Sequence, residues 1–445
     1  MTSLRLLVLL FGPRTARPAT RIAALSAFAV VGAVLSALGN AFVAYASADG
    51  PVSTLYGLMS WTATAMLAAP VLMLVESAVT ATASDRNDRL ATLRLLGASS
   101  RLVRRLPVIE SAVLAATGST VGAAVGTVVA LLVGQPGLTG AANTVAGAPL
   151  GLLGVGGTVV LVTLLAMWRG ALGLRQVLIE PLGVRRREQP ERVDPRALRR
   201  GLVVLGLTTA GGIVFGAQMS MIGVVLILVG IVTAMTTLRL IGPVVVGGLA
   251  TRAHRRASSA AALLAARTAM EAPFAAWRRV SGVTMTTFVA VVAAGGMALL
   301  APVTEPTVVH DVTVTTVITL ACSTLLTAAT VTLDEVSAVL DRQALYLGLH
   351  HVGTPRSVLD MARLRGVGLP LVTMSALALL SATMLVGPLV LGVGALSGPS
   401  VVTLGVSVSV GVGIALVGVA LAGRLLPRDP APPAHRTTEP NGATS

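Results

Sequence analysis

The sequence predicts an all-α integral membrane protein with about ten transmembrane helices. Of its 445 residues, 54% are hydrophobic and 11% are charged, whereas a water-soluble domain carries about 25% charged residues. Aromatic residues make up 3% of the chain and glycines number 47, a composition typical of closely packed membrane helices. In addition, runs of roughly 20 apolar residues, the length that crosses a bilayer, recur along the chain.

Ten such runs predict the membrane spans in chain order. They are centred near Val30, Ala69, Val121, Val160, Leu207, Leu228, Val291, Ser323, Ala378 and Val412. The fifth and sixth spans are separated near Gln218 by only a few residues, which predicts a tight helical hairpin. Before the first span, the leucines and arginines between Leu4 and Arg14 predict a short interfacial helix.

The arginines predict the orientation of these spans. All 33 basic residues are arginine. Alternate connectors contain none of them, namely 46–56, 135–147, 217–219, 303–313 and 390–401. Because positive residues concentrate on the cytoplasmic side, the arginine-rich connectors and both termini are predicted to be cytoplasmic. The net charge of +15 then reflects contact with the anionic inner leaflet, so membrane lipids are expected partners and nucleic acid is not.

Composition also excludes several kinds of active site. The chain contains no lysine, so it carries neither a P-loop lysine nor a Schiff-base lysine. It is therefore predicted not to be an enzyme, and any ATP that it uses must be hydrolysed by a partner. The single cysteine, Cys322, lies in an apolar run, and His350 and His351 lack matching ligands. No catalytic residue, metal site or bound cofactor is predicted in this chain.

An internal repeat predicts the domain organisation. Asp85 and Arg86 map onto Asp341 and Arg342, and the first four spans map onto the last four, at an offset of 256 residues. This gives two parallel four-helix repeats around a two-helix insert, related by a pseudo-twofold axis along the membrane normal. The predicted divisions are 1–170 for the first repeat, 171–255 for a charged linker and central two-helix hairpin, 256–426 for the second repeat, and 427–445 for a disordered cytoplasmic tail.

The connector after the second span carries the pattern that bears on mechanism. Leu90, Leu93 and Leu96 recur at three-residue spacing, with Asp88, Arg89 and Arg94 at other positions, which predicts a short amphipathic helix. Gly97 favours the end of that helix, and Ser99 or the serine after it can cap the next one. The product is a stiff elbow at the inner membrane face. Its candidate contact residues are Arg86, Arg89, Leu90, Leu93, Arg94, Leu96, Gly97, Ala98, Ser99 and Arg101, and those of the second elbow are Leu345, Leu349, Gly353, Thr354 and Arg356.

With Leu-x-x-Leu-Gly-Ala-Ser at 93–99 and Glu110 opening the next span, the first elbow resembles a segment of the FtsX-like (MacB-type) ABC transporter permease family. The resemblance extends to the four-span unit and its duplication. It implies a permease of the bacterial plasma membrane, with two copies of a separate P-loop ABC ATPase docked on the elbows. The partner would bind ATP and Mg²⁺. The implied activity is export or membrane extraction of an amphipathic or lipid-like substrate, such as an antimicrobial peptide.

Two departures from the family pattern qualify this expectation. Gly366 stands where the second repeat would have its counterpart of Glu110, so docking of the second elbow is expected to be weaker or asymmetric. The outer connectors are short, the longest being about 13 residues, which disfavours a receptor-like role through an extracytoplasmic domain. A single elbow could equally be a helix that lies on lipid headgroups, but two copies at equivalent positions favour docking.

Small residues in the third span predict close helix packing. Gly118, Gly122 and Gly126 recur at four-residue spacing, and Ala378 and Ala382 stand at the equivalent positions in the second repeat. Such spacing lets another helix approach closely. Static packing and a sliding interface are both compatible with this pattern.

Two other functions are compatible with a polytopic chain. An ion-gradient-driven secondary carrier needs ionisable groups near the membrane midplane, but Glu76, Asp334 and Glu335 are placed near the cytoplasmic ends of spans. Glu76 either faces the substrate or extends to the interface, and the second is favoured. A non-transporting signalling module would need a membrane partner, because the outer connectors are too short to present a signal directly outside the cell.

Overall fold

The computed structural model describes residues 18–46, 53–82, 100–133, 151–178, 221–299, 306–341 and 355–393, with single helical positions between 199 and 210. This described part is all α-helical. Its helices are α1 (Pro18–Ala46), α2 (Ser53–Ala81), α3 (Ser100–Val133), α4 (Gly151–Leu178), α5 (Met221–Arg255), α6 (Ala260–Glu271), α7 (Pro273–Leu299), α8 (Pro306–Asp341) and α9 (Arg356–Val393).

Within the described ranges, 8 helices are long and apolar enough to cross a membrane. Each of these 8 helices contains one of the predicted span centres, and α6, with 12 residues, is too short to cross a membrane. The predicted spans near Leu207 and Val412 lie outside the continuous described segments. The longest helix, α9, has 38 residues, which corresponds to about 57 Å at 1.5 Å per residue. Since the hydrocarbon core is about 30 Å thick, the longer helices extend beyond it.

Helix α5 differs from the sequence prediction. The predicted span centred near Leu228 would end close to Arg239, but the helix continues through Pro243 to Arg255. The charge does not end the helix because Arg239 is paired with an acidic residue of another helix. The helix also accommodates the proline, as membrane helices do when neighbouring groups satisfy the freed backbone carbonyl.

Helix α6 is a short element that hydropathy did not predict. Ser259 caps it, its hydroxyl accepting a hydrogen bond from the backbone N–H of Ala262 at 3.3 Å, and Pro273 begins the next helix directly after it. Its buried face consists of small side chains, Ala261, Ala265, Ala266 and Ala269. This face packs against α5 and α9, so α6 joins the central helix to the second half of the chain.

Helices α1 and α3 approach each other through backbone atoms. A Cβ placed on Gly122 would lie 1.9 Å from the carbonyl oxygen of Ala29, and one on Gly126 would lie 2.2 Å from that of Ala33. A Cβ on Gly118 would lie 2.7 Å from the carbonyl oxygen of Leu25. The absence of side chains at these positions is therefore what permits this crossing.

The same pairing occurs between α7 and α9 with slightly larger residues. Ala378 and Ala382 are fully buried in α9, which packs along α7. Helix α7 is the most enclosed of the described spans. In its most apolar stretch 83% is buried inside the protein, against 22% for α4. The Thr286 hydroxyl of α7 is hydrogen-bonded to the hydroxyls of Ser323 and Thr327 of α8. These hydrogen bonds join the two helices at the centre of the bundle.

Helices α2 and α8 run side by side in the same direction. At their first turns, the Tyr56 hydroxyl donates to Asp311 Oδ2 at 2.8 Å. Near their other ends, Arg278 of α7 donates to Thr80 of α2 at 2.8 Å and lies 3.3 Å from Asp334 of α8. Helices α1, α2 and α3 begin at residues 18, 53 and 100, and α7, α8 and α9 begin at 273, 306 and 356, separations of 253 to 256 residues.

Candidate functional site

Charged side chains gather at one end of the bundle, where α2, α4 and α8 end and α1, α3, α7 and α9 begin. We call this the basic end. Its members are Arg21, Glu76, Glu110, Arg169, Arg239, Arg278, Arg279, Asp334, Glu335 and Arg363. Because ion pairs join helices that are distant in sequence, these helix ends must share one face of the protein. Both predicted elbows connect helices at this face.

The elbow residues themselves lie mostly outside the described residues. This holds for Arg86, Arg89, Leu90, Leu93, Arg94, Leu96, Gly97, Ala98 and Ser99, and for Leu345, Leu349, Gly353 and Thr354. Arg101 and Arg356 belong to the first turns of α3 and α9. Helix α3 begins at Ser100, where the sequence predicted a helix start. The first elbow is therefore held between Ala81 and Ser100, and the second between Asp341 and Arg356.

Glu110 couples the helix after the first elbow to the start of α1. It is buried in α3, and its Oε1 lies 3.7 Å from Nη2 of Arg21. The corresponding residue of α9, Gly366, has Ala265 of α6 as its neighbour, since a Cβ placed on it would lie 3.9 Å from the Ala265 Cβ. Gly366 lines an apolar groove of about 450 Å³ between α5, α6 and α9. The two halves of the basic end therefore differ at this position.

A second set of ion pairs joins α7, α8 and α9. Arg278 lies 3.3 Å from Asp334, Arg279 lies 3.6 Å from Glu335, and Arg363 lies 3.7 Å from the other oxygen of Glu335. The carboxylate side chains are 2% and 3% exposed. Arg278 and Arg279 lie inside α7, in its first two turns. The available signal was the pair of adjacent acidic residues in an apolar stretch of α8.

A third cluster joins α2, α4 and α5. Both Arg169 and Arg239 donate through Nη2 to the same oxygen, Oε2, of Glu76. The guanidinium of Arg169 also lies 5.7 Å from the ring centroid of Trp168. From the sequence Glu76 is considered by itself, whereas in the structure it lies between two arginines. Arg239 was not predicted as a partner, because the two residues are 163 positions apart.

Comparison with known proteins identifies part of this arrangement. Residues 61–177 match the family model described as FtsX-like permease C-terminal. This segment, which we call the FtsX-like domain, is similar to that family. The family resemblance predicted from the elbow is thus confirmed over these residues. No curated protein and no solved structure gives a significant match to the chain.

The FtsX-like domain comprises most of α2, the first elbow, α3 and nearly all of α4. It therefore contains Glu76, Glu110 and Arg169, and the three glycines of α3 that contact α1. With its long apolar helices, the chain is a multi-pass membrane protein. FtsX-like permeases as a family associate with ABC ATPases.

The residues that the structure describes contain no cluster of metal-ligating side chains. Among the residues that the structure describes, no three His, Cys, Asp or Glu side chains are close enough to hold a metal ion. Cys322 is a half-buried free thiol of α8 that packs against the core shared by α1 and α2. The acidic residues of the basic end pair with arginines, so the arrangement ties helices together and can transmit movement between them.

Proposed function

We propose that this chain is the membrane subunit of an ABC transporter in which two FtsX-like halves are fused. The observation that carries the proposal is the FtsX-like domain at 61–177 together with a second set of helices, α7 to α9, packed in the same way. In each set the first helix packs along the third, and the second helices of the two sets lie side by side. Such packing supports a parallel repeat with its axis along the membrane normal.

The two elbows are the proposed docking sites for two copies of a P-loop ABC ATPase. Both connect helices at the basic end, and each continues into a long helix, α3 or α9. The ATPase pair would bind ATP and Mg²⁺ and would close on binding them. An elbow that moves with its ATPase subunit displaces the helix that follows it. In the first half, the ion pair of Glu110 with Arg21 passes that displacement to α1.

The basic end is the proposed cytoplasmic end, in a bacterial plasma membrane. Each ion-paired arginine in the described residues lies there, while the opposite end carries Tyr56 and Asp311. This distribution follows the positive-inside rule. The short predicted outer connectors leave little protein outside the membrane. We therefore propose that the cargo is an amphipathic or lipid-like molecule, such as an antimicrobial peptide, exported or extracted from the bilayer.

Isolation of the tagged chain from its native cells in a mild detergent tests the proposal. We expect a P-loop ATPase to copurify at two copies per permease, as measured by quantitative mass spectrometry. A correctly inserted chain without any ATPase would contradict the transporter assignment and favour a carrier driven by an ion gradient. ATPase activity that is insensitive to every amphipathic cargo, with the complex intact, would instead favour a signalling module.

A charge placed in the first elbow should abolish ATPase binding. Leu93→Asp puts a carboxylate on the proposed apolar contact face. Burying an unpaired charge at an interface costs about 3 kcal/mol or more of binding free energy. We expect copurified ATPase to fall at least tenfold, on the order of 1.4 kcal/mol or more, with membrane insertion unchanged. The matched control is Leu198→Asp, the same change in the predicted cytoplasmic linker, which should retain the ATPase. Equal retention by both variants would refute the docking role of the elbow.

A further inference from the structure

The cluster of Glu76, Arg169 and Arg239 carries an excess positive charge. Two guanidinium groups share one carboxylate oxygen, so the cluster has a formal charge of +1. The other ion pairs of the basic end are balanced: Arg21 faces Glu110, and the α7 to α9 network contains Arg278, Arg279 and Arg363 with Asp334, Glu335 and Asp360. An uncompensated charge within membrane helices is costly. A further anion bound to this cluster would lower that cost.

The cluster is accessible from outside the bundle. The side chains of Arg169, Arg239 and Glu76 are 17%, 30% and 32% exposed, whereas Asp334 and Glu335 are 2% and 3% exposed. Glu76 lies five residues before the end of its span at Ala81, and Arg169 lies three residues before Leu172. At 1.5 Å per residue, both are within about 8 Å of the ends of their spans. This is the depth at which lipid headgroups meet their acyl chains.

The surroundings of the cluster suit an amphiphile. Apolar side chains of α4 and α5 are exposed on the surface of the bundle, namely Leu164, Trp168, Leu172, Val232 and Leu240. Each guanidinium has five N–H donors, and the described contacts occupy only part of this set. Arginine binds phosphate through paired N–H groups. Acyl chains could therefore follow α4 and α5 while a phosphate contacts both arginines.

We propose that Arg169 and Arg239 form a binding site for the phosphate group of an anionic membrane amphiphile, at the cluster where side chains of α2, α4 and α5 meet. Glu76 holds the two guanidinium groups together and limits the affinity by competing with the phosphate. An ion pair that only held helices together would need one arginine for the one carboxylate of Glu76. The site is independent of ATPase docking, so its failure and the failure of the proposed function are separate results.

Quenching of Trp168 fluorescence by brominated lipids tests the site. The chain has 3 tryptophans; Trp277 is buried at 4% exposure and Trp61 is exposed at 56%. In a Trp61→Phe background, Trp168 is the lipid-accessible reporter. The protein is reconstituted in vesicles of phosphatidylcholine and brominated phosphatidylglycerol, and the relative binding constant is obtained from quenching against lipid fraction. We expect phosphatidylglycerol to be preferred about tenfold; equal binding of the two lipids would overturn the proposal.

Three variants distinguish the site from general attraction of basic helix ends to anionic lipid. Arg239→Gln should abolish the preference, because it removes one phosphate contact. Glu76→Gln should strengthen it, since the competing carboxylate is lost; a structural tie predicts no increase. Arg252→Gln, an exposed arginine farther along α5, should leave the preference unchanged. A loss with Arg252→Gln equal to that with Arg239→Gln, or no change with Glu76→Gln in a folded protein, would refute the assigned site.

Inorganic phosphate separates two sources of the same ligand chemistry. If about 10 mM phosphate removes the lipid preference, the arginines bind phosphate without needing an acyl chain. If the preference persists, the apolar walls of α4 and α5 contribute to the affinity, and the ligand is the lipid itself. Both outcomes require that Arg239→Gln lower the measured affinity.

Discussion

Gly122→Leu is expected to separate α1 from α3 and to cause one of the two largest losses of stability in the protein. The first carbon of any side chain at this position would lie 1.9 Å from the backbone oxygen of Ala29. Backbone cannot rotate away as a side chain can, so the helices must move apart along their crossing. We expect the free energy of unfolding in mixed micelles to fall by about 3 kcal/mol or more, at the upper end of the range for overpacking.

Gly156→Leu is the matched control for this substitution. It makes the same change in α4, within the same FtsX-like domain, but a Cβ on Gly156 meets nothing within 4 Å. Leucine also favours helix more than glycine does, by about 0.8 kcal/mol, so we expect stability to be unchanged or slightly increased. Equal losses for both variants would show that leucine at a glycine position, rather than the crossing of α1 with α3, determines the effect.

Glu335→Gln is expected to have a comparable effect at the other half of the bundle. The carboxylate, 3% exposed, faces both Arg279 and Arg363, which are themselves only 12% and 7% exposed. Its neutralisation removes the ion pair of Arg279, a largely buried cation. Breaking a buried ion pair from one side costs about 3 to 5 kcal/mol, and we expect a loss of about 3 kcal/mol in the free energy of unfolding.

Asp360→Asn is the control for the acidic network. Asp360 lies 4.0 Å from the same arginine, Arg363, but its side chain is 60% exposed. Exposed pairs contribute about 0 to 1 kcal/mol, so this variant should unfold at nearly the same denaturant concentration as the parent. If Glu335→Gln were as mild as Asp360→Asn, the α7 to α9 pairs would not be stabilising contacts.

Hydropathy was sufficient to predict the long helices, because each span is an apolar run that needs no knowledge of its neighbours. Eight predicted centres fall within described helices. The glycine spacing in α3 predicted close packing for the same reason, since a small residue on every turn is a local pattern. The elbow pattern predicted the family, which the match at 61–177 confirms. Its contacts with an ATPase stay a prediction.

The polar connections could not be predicted in this way, because their partners are distant in sequence. Tyr56 and Asp311 are 255 positions apart, and Arg169 and Glu76 are 93 apart. In a sequence scan an arginine in an apolar run resembles the end of a span, even when a partner on another helix keeps it inside, as Glu76 does for Arg239. Helix α6 was missed because its 12 residues are shorter than a membrane span, although Ser259 before it is a typical helix cap.

The positions of the arginines and their acidic partners along the chain also bear on biogenesis. A chain synthesised from its N-terminus delivers Glu76 before Arg169 and Arg239, so both arginines enter a membrane that already holds their counterion. Arg278 and Arg279 meet their carboxylates on α8, the helix made immediately after α7. Inserted in order, each of these four arginines has an acidic side chain to contact within at most one further helix, and Arg169 and Arg239 share theirs. Each of these four guanidinium groups therefore has a carboxylate to contact in the bilayer once the next helix is inserted.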